Sequence, residues 1–313
     1  MKAVVTGGAG FIGSHLTEEL VRQGHEVVVY DNLFSGKKEH LAAVQDKTLF
    51  VQGDIRDQEL LKKTCAGADI IFHQAALRSV PASVDDPAPY NDVNIIGTFN
   101  VLETARRMNV PQVIFASSSS VYGEKPKIPQ KEGYEDVRLS PYAITKYTGE
   151  DYCAYFYKTY GIKTVALRYF NVFGPRQDPN AQYAAVIPKF ILSLLKKESP
   201  PIFGTGEQSR DFTFVHDVVA ANLCASRAKK AAGKAFNIAQ GRPISVNALA
   251  TMIAGILNSE IKPTYFPARQ GDVMHTSANI TRARKLLKLP EPTPFEEALK
   301  QTVEWFKQTF AVH

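Results

Sequence analysis

Short apolar runs alternate with longer amphipathic segments through the first half of the chain. The short runs are rich in β-branched residues, whereas the longer segments repeat their apolar positions with the period of a helix. This alternation predicts βαβ units, and such strands are typical of a parallel sheet that helices cover on both faces. We therefore predict an α/β fold. The predicted strands are 3–5, 26–30, 49–52, 70–73, 112–116 and 164–168, and the predicted helices are 11–23, 93–108 and 142–160.

The pattern changes after about Asn171. Proline and glycine become frequent, as in Gly174-Pro175 and Pro200-Pro201, and the segments become shorter and less regular. These features indicate a second, smaller lobe whose loops could close over a ligand. Residues 235–239 are strand-like and are expected to return to the sheet, and residues 295–310 are predicted to form an amphipathic helix.

The composition is that of an ordinary globular protein, with 44% hydrophobic and 22% charged residues. The net charge of +6 suits an enzyme for anionic ligands, but the basic residues are scattered, so we expect no nucleic-acid partner. The three cysteines and His73, His216 and His275 lie far apart in the sequence, which predicts neither a disulfide framework nor a metal site. Without a signal peptide or a membrane-length apolar run, we expect no membrane contact and a cytoplasmic location.

Three glycines with the spacing GxxGxxG lie between the first predicted strand and the first predicted helix. Gly7 would permit a tight turn, Gly10 would let the backbone approach a diphosphate, and Gly13 would let the helix pack closely on the sheet. The helix N-terminus would face the phosphates with its free N–H groups and the positive end of its dipole. A glycine motif in this context predicts a Rossmann-type dinucleotide-binding domain.

Two strand ends add to this prediction. Asp31 ends the second predicted strand, where a carboxylate binds the adenosine ribose hydroxyls and repels a 2′-phosphate, which favours NAD over NADP. A capping role in the turn Asp31-Asn32 is the alternative. Asp54 and Ile55 follow the third strand and would flank the adenine, unless they form only a turn.

A tyrosine and a lysine stand four residues apart in predicted helix 142–160, which puts Tyr142 and Lys146 on one helical face. The ordinary pKa of tyrosine is near 10, and a lysine ammonium one turn away is expected to lower the pKa of Tyr142 toward that of a useful base. Serines occupy positions 117–120 before this helix, and a hydroxyl there could orient a sugar alcohol beside the tyrosine. A turn whose hydroxyls bond the local backbone is the alternative.

Together the glycine motif, Asp31, the serine cluster, the YxxxK motif and the segment at 168–175 (RYFNVFGP) resemble the extended short-chain dehydrogenase/reductase family, over residues 2 to about 287. The resemblance implies a doubly wound parallel sheet with a smaller C-terminal lobe. Residues 1–171 would be the NAD-binding Rossmann domain, and residues 172–313 mostly the UDP-sugar lobe. It assigns catalysis to Ser118, Tyr142 and Lys146. The implied cofactor-binding residues are Gly7, Gly10, Phe11, Ile12, Gly13, Asp31, Asn32, Asp54, Ile55, Ala75, Ala76, Asn94, Tyr142, Lys146 and Tyr169.

Within the family, the chain lacks the Thr-Asp-Glu of the dehydratases at 118–120, and its segments 75–83 and 171–188 are similar to UDP-N-acetylglucosamine 4-epimerases. This resemblance implies NAD-dependent 4-epimerisation of a UDP-hexose through a transient 4-keto sugar. Tyr142 would exchange the proton of the C4 hydroxyl, Ser118 would orient that oxygen, and Lys146 would hold the nicotinamide ribose. The implied substrate-binding residues are Arg78, Ser118, Ser119, Asn171, Ala185, Val186, Ile202, Arg210, Arg269, Asp272 and Thr276.

The size of the residue at position 276 bears on the substrate. In the resembling family, a tyrosine there accompanies restriction to unacetylated hexoses, and a small residue accompanies admission of an N-acetyl group. Thr276 therefore implies UDP-GlcNAc and UDP-GalNAc, with UDP-Glc and UDP-Gal as further candidates. A UDP-glucuronate 4-epimerase or decarboxylase, with Arg78 near the carboxylate, is an alternative, as is a non-catalytic NAD-binding scaffold. The family also implies a homodimer through the helices at 93–108 and 142–160.

Overall fold

The computed structural model describes residues 1–123, 127–179, 185–268 and 273–310. Within these ranges, seven of the strands form one wholly parallel sheet, and six short ones form three separate pairs. The strands are β1 (Lys2–Thr6), β2 (Glu26–Asp31), β3 (Thr48–Gln52), β4 (Ile70–His73), β5 (Gln112–Ser118), β6 (Lys163–Tyr169), β7 (Val172–Phe173), β8 (Pro201–Phe203), β9 (Ser209–Asp211), β10 (Thr213–Phe214), β11 (Lys234–Ile238), β12 (Pro243–Ser245) and β13 (Thr264–Phe266).

The strand order of the large sheet is β11-β6-β5-β4-β1-β2-β3. Strands β2 and β3 follow β1 on one side of it. The chain then crosses over to β4 on the other side of β1, and β5, β6 and β11 continue the sheet in that direction. Ala3 of β1 therefore pairs with Val27 on one side and with Ile70 on the other. The loops after β1 and β4 diverge at this switch point, and in sheets of this kind they leave a ligand crevice at the carboxyl ends of the strands.

Helices cover both faces of the sheet, because successive strand residues point to opposite sides. Val5 belongs to a core with side chains of the first and eighth helices, whereas Val4 belongs to a core with side chains of the second, fifth and sixth. The helices are α1 (Phe11–Arg22), α2 (Gln58–Cys65), α3 (Val80–Asp85), α4 (Ala88–Tyr90), α5 (Gly97–Arg107), α6 (Pro141–Tyr160), α7 (Val186–Leu195), α8 (Val215–Arg227), α9 (Val246–Leu257), α10 (Thr281–Leu287) and α11 (Phe295–Phe310). The predicted α/β fold with a doubly wound parallel sheet is confirmed.

A separate core lies beside the sheet. Helices α7, α9 and α11 pack against one another around Phe190, Leu249 and Phe306, together with residues of β8 and β10. This part of the chain also contains the three short strand pairs, β7 with β10, β8 with β13, and β9 with β12. The region after Asn171 is therefore more regular than its proline and glycine content indicates, because apolar side chains at helical spacing bury these helices regardless of their flanks.

Two other elements differ from the sequence predictions. The helix predicted at 93–108 begins as a π-helical turn, Asn91–Ile96, and continues as α5. Helix α2 lies in a stretch where no helix was predicted; its N-cap is Asp57, whose carboxylate accepts from the N–H of Leu60. Among the described residues, no helix combines the length and the apolar composition needed to cross a membrane.

Candidate active site

A cavity of about 1330 Å³ opens at the carboxyl ends of the central strands. Its walls come from the loop after β1, the ends of β2 to β6, the start of α6 and the segments around 171–179 and 273–276. Pockets for one small molecule usually measure about 300–1,000 Å³. The cavity is therefore large enough for a dinucleotide together with a second ligand.

Backbone atoms shape the wall of the cavity at the glycine loop. Gly7 has φ +69°, and a Cβ atom there would lie 2.7 Å from the amide nitrogen of Ala75. A Cβ atom at Gly13 would lie 2.0 Å from the carbonyl oxygen of Gly7. The N–H of Gly10 donates to that same carbonyl oxygen at 3.1 Å. This tight turn brings the first residues of α1, with their free N–H groups, to the cavity wall.

Asp31 lies in this wall at the end of β2. Its carboxylate accepts hydrogen bonds from the N–H groups of Ala9 at 3.0 Å and Leu33 at 2.7 Å. Burial raises the pKa of Asp31, and the two backbone N–H groups act in the opposite direction. The carboxylate is thus tied to the glycine loop and oriented before any ribose binds.

The next strand end carries a pair that the sequence did not reveal. Arg56 makes two hydrogen bonds to the carboxylate of Asp54, at 2.8 and 2.9 Å, and Asn32 donates to it at 3.0 Å. The guanidinium of Arg56 holds the pKa of Asp54 down to about 2. Arg56 also lines the cavity, so this strand end presents a charged pair beside Ile55.

The YxxxK motif lies at the start of α6. Ser140 caps the helix by accepting from the N–H of Ala143 at 3.2 Å, and Pro141 occupies its first turn. Tyr142 follows at once, its N–H donating to Ser83 Oγ at 3.1 Å, and its hydroxyl is hydrogen-bonded to Ser118. Local capping signals therefore place the phenol beside the end of β5.

The pKa of Tyr142 moves in the direction opposite to the one predicted. Burial raises it, and the hydrogen bond from Ser118 and the positive charge of Arg78 only oppose that rise. Burial also lowers the pKa of Lys146 to about 7, and its Nζ donates to the carbonyl oxygen of Ala116 at 2.8 Å. The expected lowering by Lys146 is therefore wrong for the protein alone, because desolvation disfavours the charged form of both groups.

The serines at the end of β5 have different partners. Ser118 Oγ accepts from the hydroxyl of Ser120 at 2.9 Å and lines the cavity. Ser117 Oγ instead donates to the carboxylate of Glu150 at 2.5 Å. Glu150 in turn holds the guanidinium of Arg168 at 2.6 and 2.9 Å. Sequence reasoning missed Glu150, although its position one turn after Lys146 on α6 is a usable signal.

All residues of the implied cofactor set except Asn94 line the cavity. Asn94 is buried in the π-helical turn, where its side chain exchanges hydrogen bonds with the backbone of Leu77 at 2.9 Å and reaches Thr145 at 3.1 Å. It therefore fixes the loop after β4 against α6. Tyr169 lines the cavity with its hydroxyl bonded to Gln74 and Asn222. The cavity-lining members are Gly7, Gly10, Phe11, Ile12, Gly13, Asp31, Asn32, Asp54, Ile55, Ala75, Ala76, Tyr142, Lys146 and Tyr169.

The implied substrate set divides in the same way. Arg78, Ser118, Ser119, Asn171 and Thr276 line the cavity. The lining does not include Ala185, Val186, Ile202 or Arg210.

The four residues outside the lining have other surroundings. Ala185 is exposed beside Val186 at the start of α7, and Ile202 is buried in the core of β8. The guanidinium of Arg210 donates to the carbonyl oxygens of Ser209 and Met274. Arg269 and Asp272 lie outside the described residues.

Further cavity-lining residues were not singled out from the sequence. They share polar or aromatic side chains in loops, where no local motif marks them. They include Phe34, His40, Arg56, Gln74, Gln130, Arg176 and Gln177.

This arrangement defines a class of protein, a dinucleotide-binding α/β enzyme with a Ser–Tyr–Lys set at the cavity. The family model described as NAD dependent epimerase/dehydratase family matches residues 3–239, and the chain belongs to this family. It is an isomerase, and its cofactor is NAD.

Relatives match the whole length of the chain. A UDP-glucose 4-epimerase of Mycolicibacterium smegmatis is 39% identical over 98% of this chain and 99% of that protein. The structure of a UDP-N-acetylglucosamine 4-epimerase from Methanobrevibacter ruminantium M1, in complex with UDP-N-acetylmuramic acid, has a TM-score of 0.95 at 42% identity, covering 99% of both chains. That of a UDP-glucose 4-epimerase from Thermotoga maritima with UDP-glucose has a TM-score of 0.94 at 41% identity, also covering 99% of both chains.

The residues present fit NAD. The backbone cradle at Gly7 and Gly13 leaves no room for side chains and exposes the start of α1 to a diphosphate. The carboxylate of Asp31 is oriented at the point where an adenosine ribose would bind. The cofactor would thus lie along the ends of β1 and β2 and reach toward Tyr142 and Lys146.

Proposed function

We propose that this NAD-dependent UDP-sugar 4-epimerase interconverts UDP-GlcNAc and UDP-GalNAc. The observation that carries the proposal is the small side chain of Thr276 on the wall of the cavity that Ser118 and Tyr142 also line. The backbone N–H of Thr276 donates to the carbonyl oxygen of Ser209 at 3.1 Å, and its hydroxyl accepts from the N–H of Asp211 at 3.4 Å. The side chain is therefore held against β9 and leaves room in the cavity.

The UDP-N-acetylglucosamine 4-epimerase of M. ruminantium, which binds an acetylated UDP-sugar, supports this choice. UDP-Glc and UDP-Gal are the second pair to test, because the relatives from M. smegmatis and T. maritima are UDP-glucose 4-epimerases. A site that admits the larger acetamido group has room for the hydroxyl of the smaller sugar, so we expect turnover of both pairs.

The residues of the chain would divide the chemistry as follows. Ser118 and Tyr142 would both meet the C4 oxygen of the sugar, since their hydroxyls are hydrogen-bonded to each other. Burial raises the pKa of Tyr142, whereas the hydrogen bond from Ser118 and the positive charge of Arg78 oppose that rise and favour the phenolate. In its phenolate form Tyr142 would take the proton of the C4 hydroxyl and later return it.

Lys146 would bind the nicotinamide ribose, and Asp31 the adenosine ribose. The chemistry that NAD supplies when bound is reversible hydride transfer at C4. Asn171 would contact the UDP diphosphate. The sugar ring would have to rotate in the cavity between the two hydride transfers so that its opposite face meets the cofactor. The residues that hold UDP must therefore keep their contacts, while the residues around the sugar ring must leave the ring free to rotate.

One observation favours a second candidate, UDP-glucuronate. Arg78 is exposed at the cavity wall, and its charge reaches Tyr142. A guanidinium in this position could pair with a C6 carboxylate. Incubation of the purified protein with UDP-glucuronate, followed by anion-exchange chromatography, tests this candidate; absence of both an epimer and a decarboxylated product would eliminate it.

The proposed substrate is tested with UDP-GlcNAc, UDP-GalNAc, UDP-Glc and UDP-Gal in the same assay. We expect the acetylated pair to be interconverted, and Thr276→Tyr to reduce kcat/KM for that pair about 10- to 200-fold more than for the unacetylated pair, a discrimination typical of a filled pocket. Thr276→Ser, which stays small, is the control. If the wild type converts only the unacetylated pair, the assignment to acetylated sugars is wrong.

A homodimer through α5 and α6 is part of this proposal. Apolar side chains at and near these helices are about half exposed: Ile96 is 51%, Ile144 49% and Tyr155 51% accessible. Burial of such a surface against a second copy would be favourable. Light scattering should give the mass of a dimer for the wild type, and Ile144→Glu should shift the mass toward that of a monomer; a monomeric wild type would refute the proposal.

A further inference from the structure

We propose that Arg176 binds the diphosphate of NAD and, held there by Ser14 and Glu18 of α1, keeps the cofactor on the enzyme between turnovers. Arg176 lies in the segment that follows β7, outside the glycine loop and the catalytic motif. Its side chain nevertheless lines the cavity together with Gly10 and Phe11. No pattern in the sequence connects this arginine with the cofactor.

The contacts of Arg176 place its guanidinium beside the first turn of α1. Nη1 donates to Ser14 Oγ at 3.1 Å, and Nη2 donates to Glu18 at 2.5 Å. The N–H of Ser14 in turn donates to the carbonyl oxygen of Gly10 at 3.0 Å. The cation is therefore within one helical turn of the residues whose N–H groups face a diphosphate.

The guanidinium keeps donors for a ligand. It has five N–H groups, of which these two contacts use one on each terminal nitrogen. Its side chain is 18% exposed, so part of it is open to the cavity. A fixed guanidinium suits a diphosphate, because its planar fork can bond two oxygens at once.

Arg176 also supplies positive charge that the neighbouring imidazoles do not. Burial lowers the pKa of His15 to about 3 and lowers the pKa values of His40 and His216, and the charge of Arg176 contributes to all three shifts. The lowered pKa values favour the neutral form of all three imidazoles. His40 Nδ1 lies 3.0 Å from the carbonyl oxygen of Ala9, so one of the groups that the charge of Arg176 affects contacts the glycine loop.

The backbone around Arg176 is held in place from the same helix. Arg176 has φ +66°, a conformation that costs a non-glycine residue about 1–2 kcal/mol. The imidazole Nε2 of His15 lies 3.0 Å from the carbonyl oxygen of the preceding Pro175. The contact of His15 with Pro175 and the contacts of Arg176 with Ser14 and Glu18 join the segment at 174–179 to α1. Arg176 therefore connects the cofactor side of the cavity, at α1, with the substrate side.

The chemistry of epimerisation explains why a contact between Arg176 and the diphosphate would be useful. The cofactor is reduced and reoxidised in each cycle, and its nicotinamide ring changes charge while its diphosphate does not. A residue that holds the diphosphate retains both forms equally. Arg176→Gln should therefore speed the release of NAD from the purified holoenzyme, and of NADH from the reduced enzyme, by a similar factor of about 10 to 100, the range for a lost charged hydrogen bond.

The control is Arg22→Gln. Arg22 lies on α1, the helix that Arg176 contacts, and pairs with Glu19 at 2.6 Å, but its side chain is 73% exposed and does not line the cavity. This variant removes one arginine charge near α1, as Arg176→Gln does, and should leave the release of both cofactor forms unchanged. Arg176→Lys should recover part of the retention, and Glu18→Gln should weaken it less than Arg176→Gln.

Salt dependence separates a direct contact from a structural one. A lost ion contact with the diphosphate would make cofactor release less sensitive to salt than in the wild type. A variant that only loosens the segment at 174–179 would lower the melting temperature and leave the salt dependence unchanged. Normal retention in Arg176→Gln, equal loss in Arg22→Gln, or an unchanged salt dependence would each overturn the proposal.

Discussion

The glycine loop and the first turns of α6 form two parts of the cavity wall by different means. At the loop, backbone atoms set the limits: a Cβ atom at Gly13 would lie 2.0 Å from the carbonyl oxygen of Gly7. At the helix, buried side chains set them: Tyr142 and Lys146 are both buried, and desolvation shifts the pKa of each toward its neutral form. The first part depends on the absence of side chains, and the second on the environment of side chains.

This difference predicts which property of the protein a substitution should change in each part of the wall. A substitution at the loop should damage cofactor binding and folding together, because the clash is with the main chain. A substitution at the helix should alter chemistry or titration, and Tyr142→Phe, which keeps the ring, should leave cofactor binding largely intact. Three predictions, from the largest expected effect to the smallest, test this division.

The largest effect is expected for Tyr142→Phe, which removes the proposed acid/base and leaves the ring. The turnover number should fall about 10²- to 10⁴-fold, the usual contribution of a positioned proton-transfer group. The NAD content of the purified variant should be normal. Tyr157→Phe, on the same helix and 41% exposed, should retain full activity. Near-normal turnover of Tyr142→Phe would remove the tyrosine from the mechanism.

Gly13→Ala should act through the backbone. The added methyl group must displace the carbonyl of Gly7, so we expect a loss of about 3 kcal/mol in the free energy of unfolding and loss of bound NAD. Gly255→Ala is the matched control: this glycine lies in α9 with nothing within 4 Å of an added Cβ, and alanine there should be neutral or stabilising by about 0.5–1 kcal/mol. A Gly13→Ala protein with normal stability and NAD content would show that side chains, not backbone, limit this wall.

The smallest effect concerns Lys146. Its pKa is about 7 in the folded protein and 10.5 in the unfolded chain, so between these values the unfolded state binds more protons and stability rises with pH. From pH 7 to pH 9 this group should add roughly 2 kcal/mol to the free energy of unfolding. The measurement is chemical denaturation at several pH values. Lys146→Met should lack the rise, whereas Lys158→Met, exposed on the same helix, should keep it; a wild type with no such rise would contradict the burial argument.

The positions of the first six strands of the large sheet could be predicted from local sequence patterns. The predicted strands at 3–5, 26–30, 49–52, 70–73, 112–116 and 164–168 all fall within strands of the sheet, because an uninterrupted apolar run is a property of neighbouring residues. The helices α7, α8 and α9 were not predicted. Their regularity is supported by packing against distant elements, and the surrounding prolines and glycines concealed it.

The site divides in a similar way. The spacing of Gly7, Gly10 and Gly13 and of Tyr142 and Lys146 was readable, since each set belongs to one turn or one helix. Asn94 matched the implied cofactor set but lies behind the wall, bonded to Leu77 and Thr145. Ile202 is likewise in the core of its lobe. A motif identifies the residue type at a position. Whether that residue lines the cavity or lies behind its wall depends on the packing of other segments.

The sequence by itself determined the periods of the strands and helices and the residues of the two short motifs. Each of these depends on interactions over a few residues. Only the tertiary structure decided that Arg176 meets Ser14 and Glu18, that Arg56 holds Asp54 at the cavity, and that the pKa of Tyr142 rises. These outcomes depend on contacts between distant segments and on burial, and both exist only when the chain has folded.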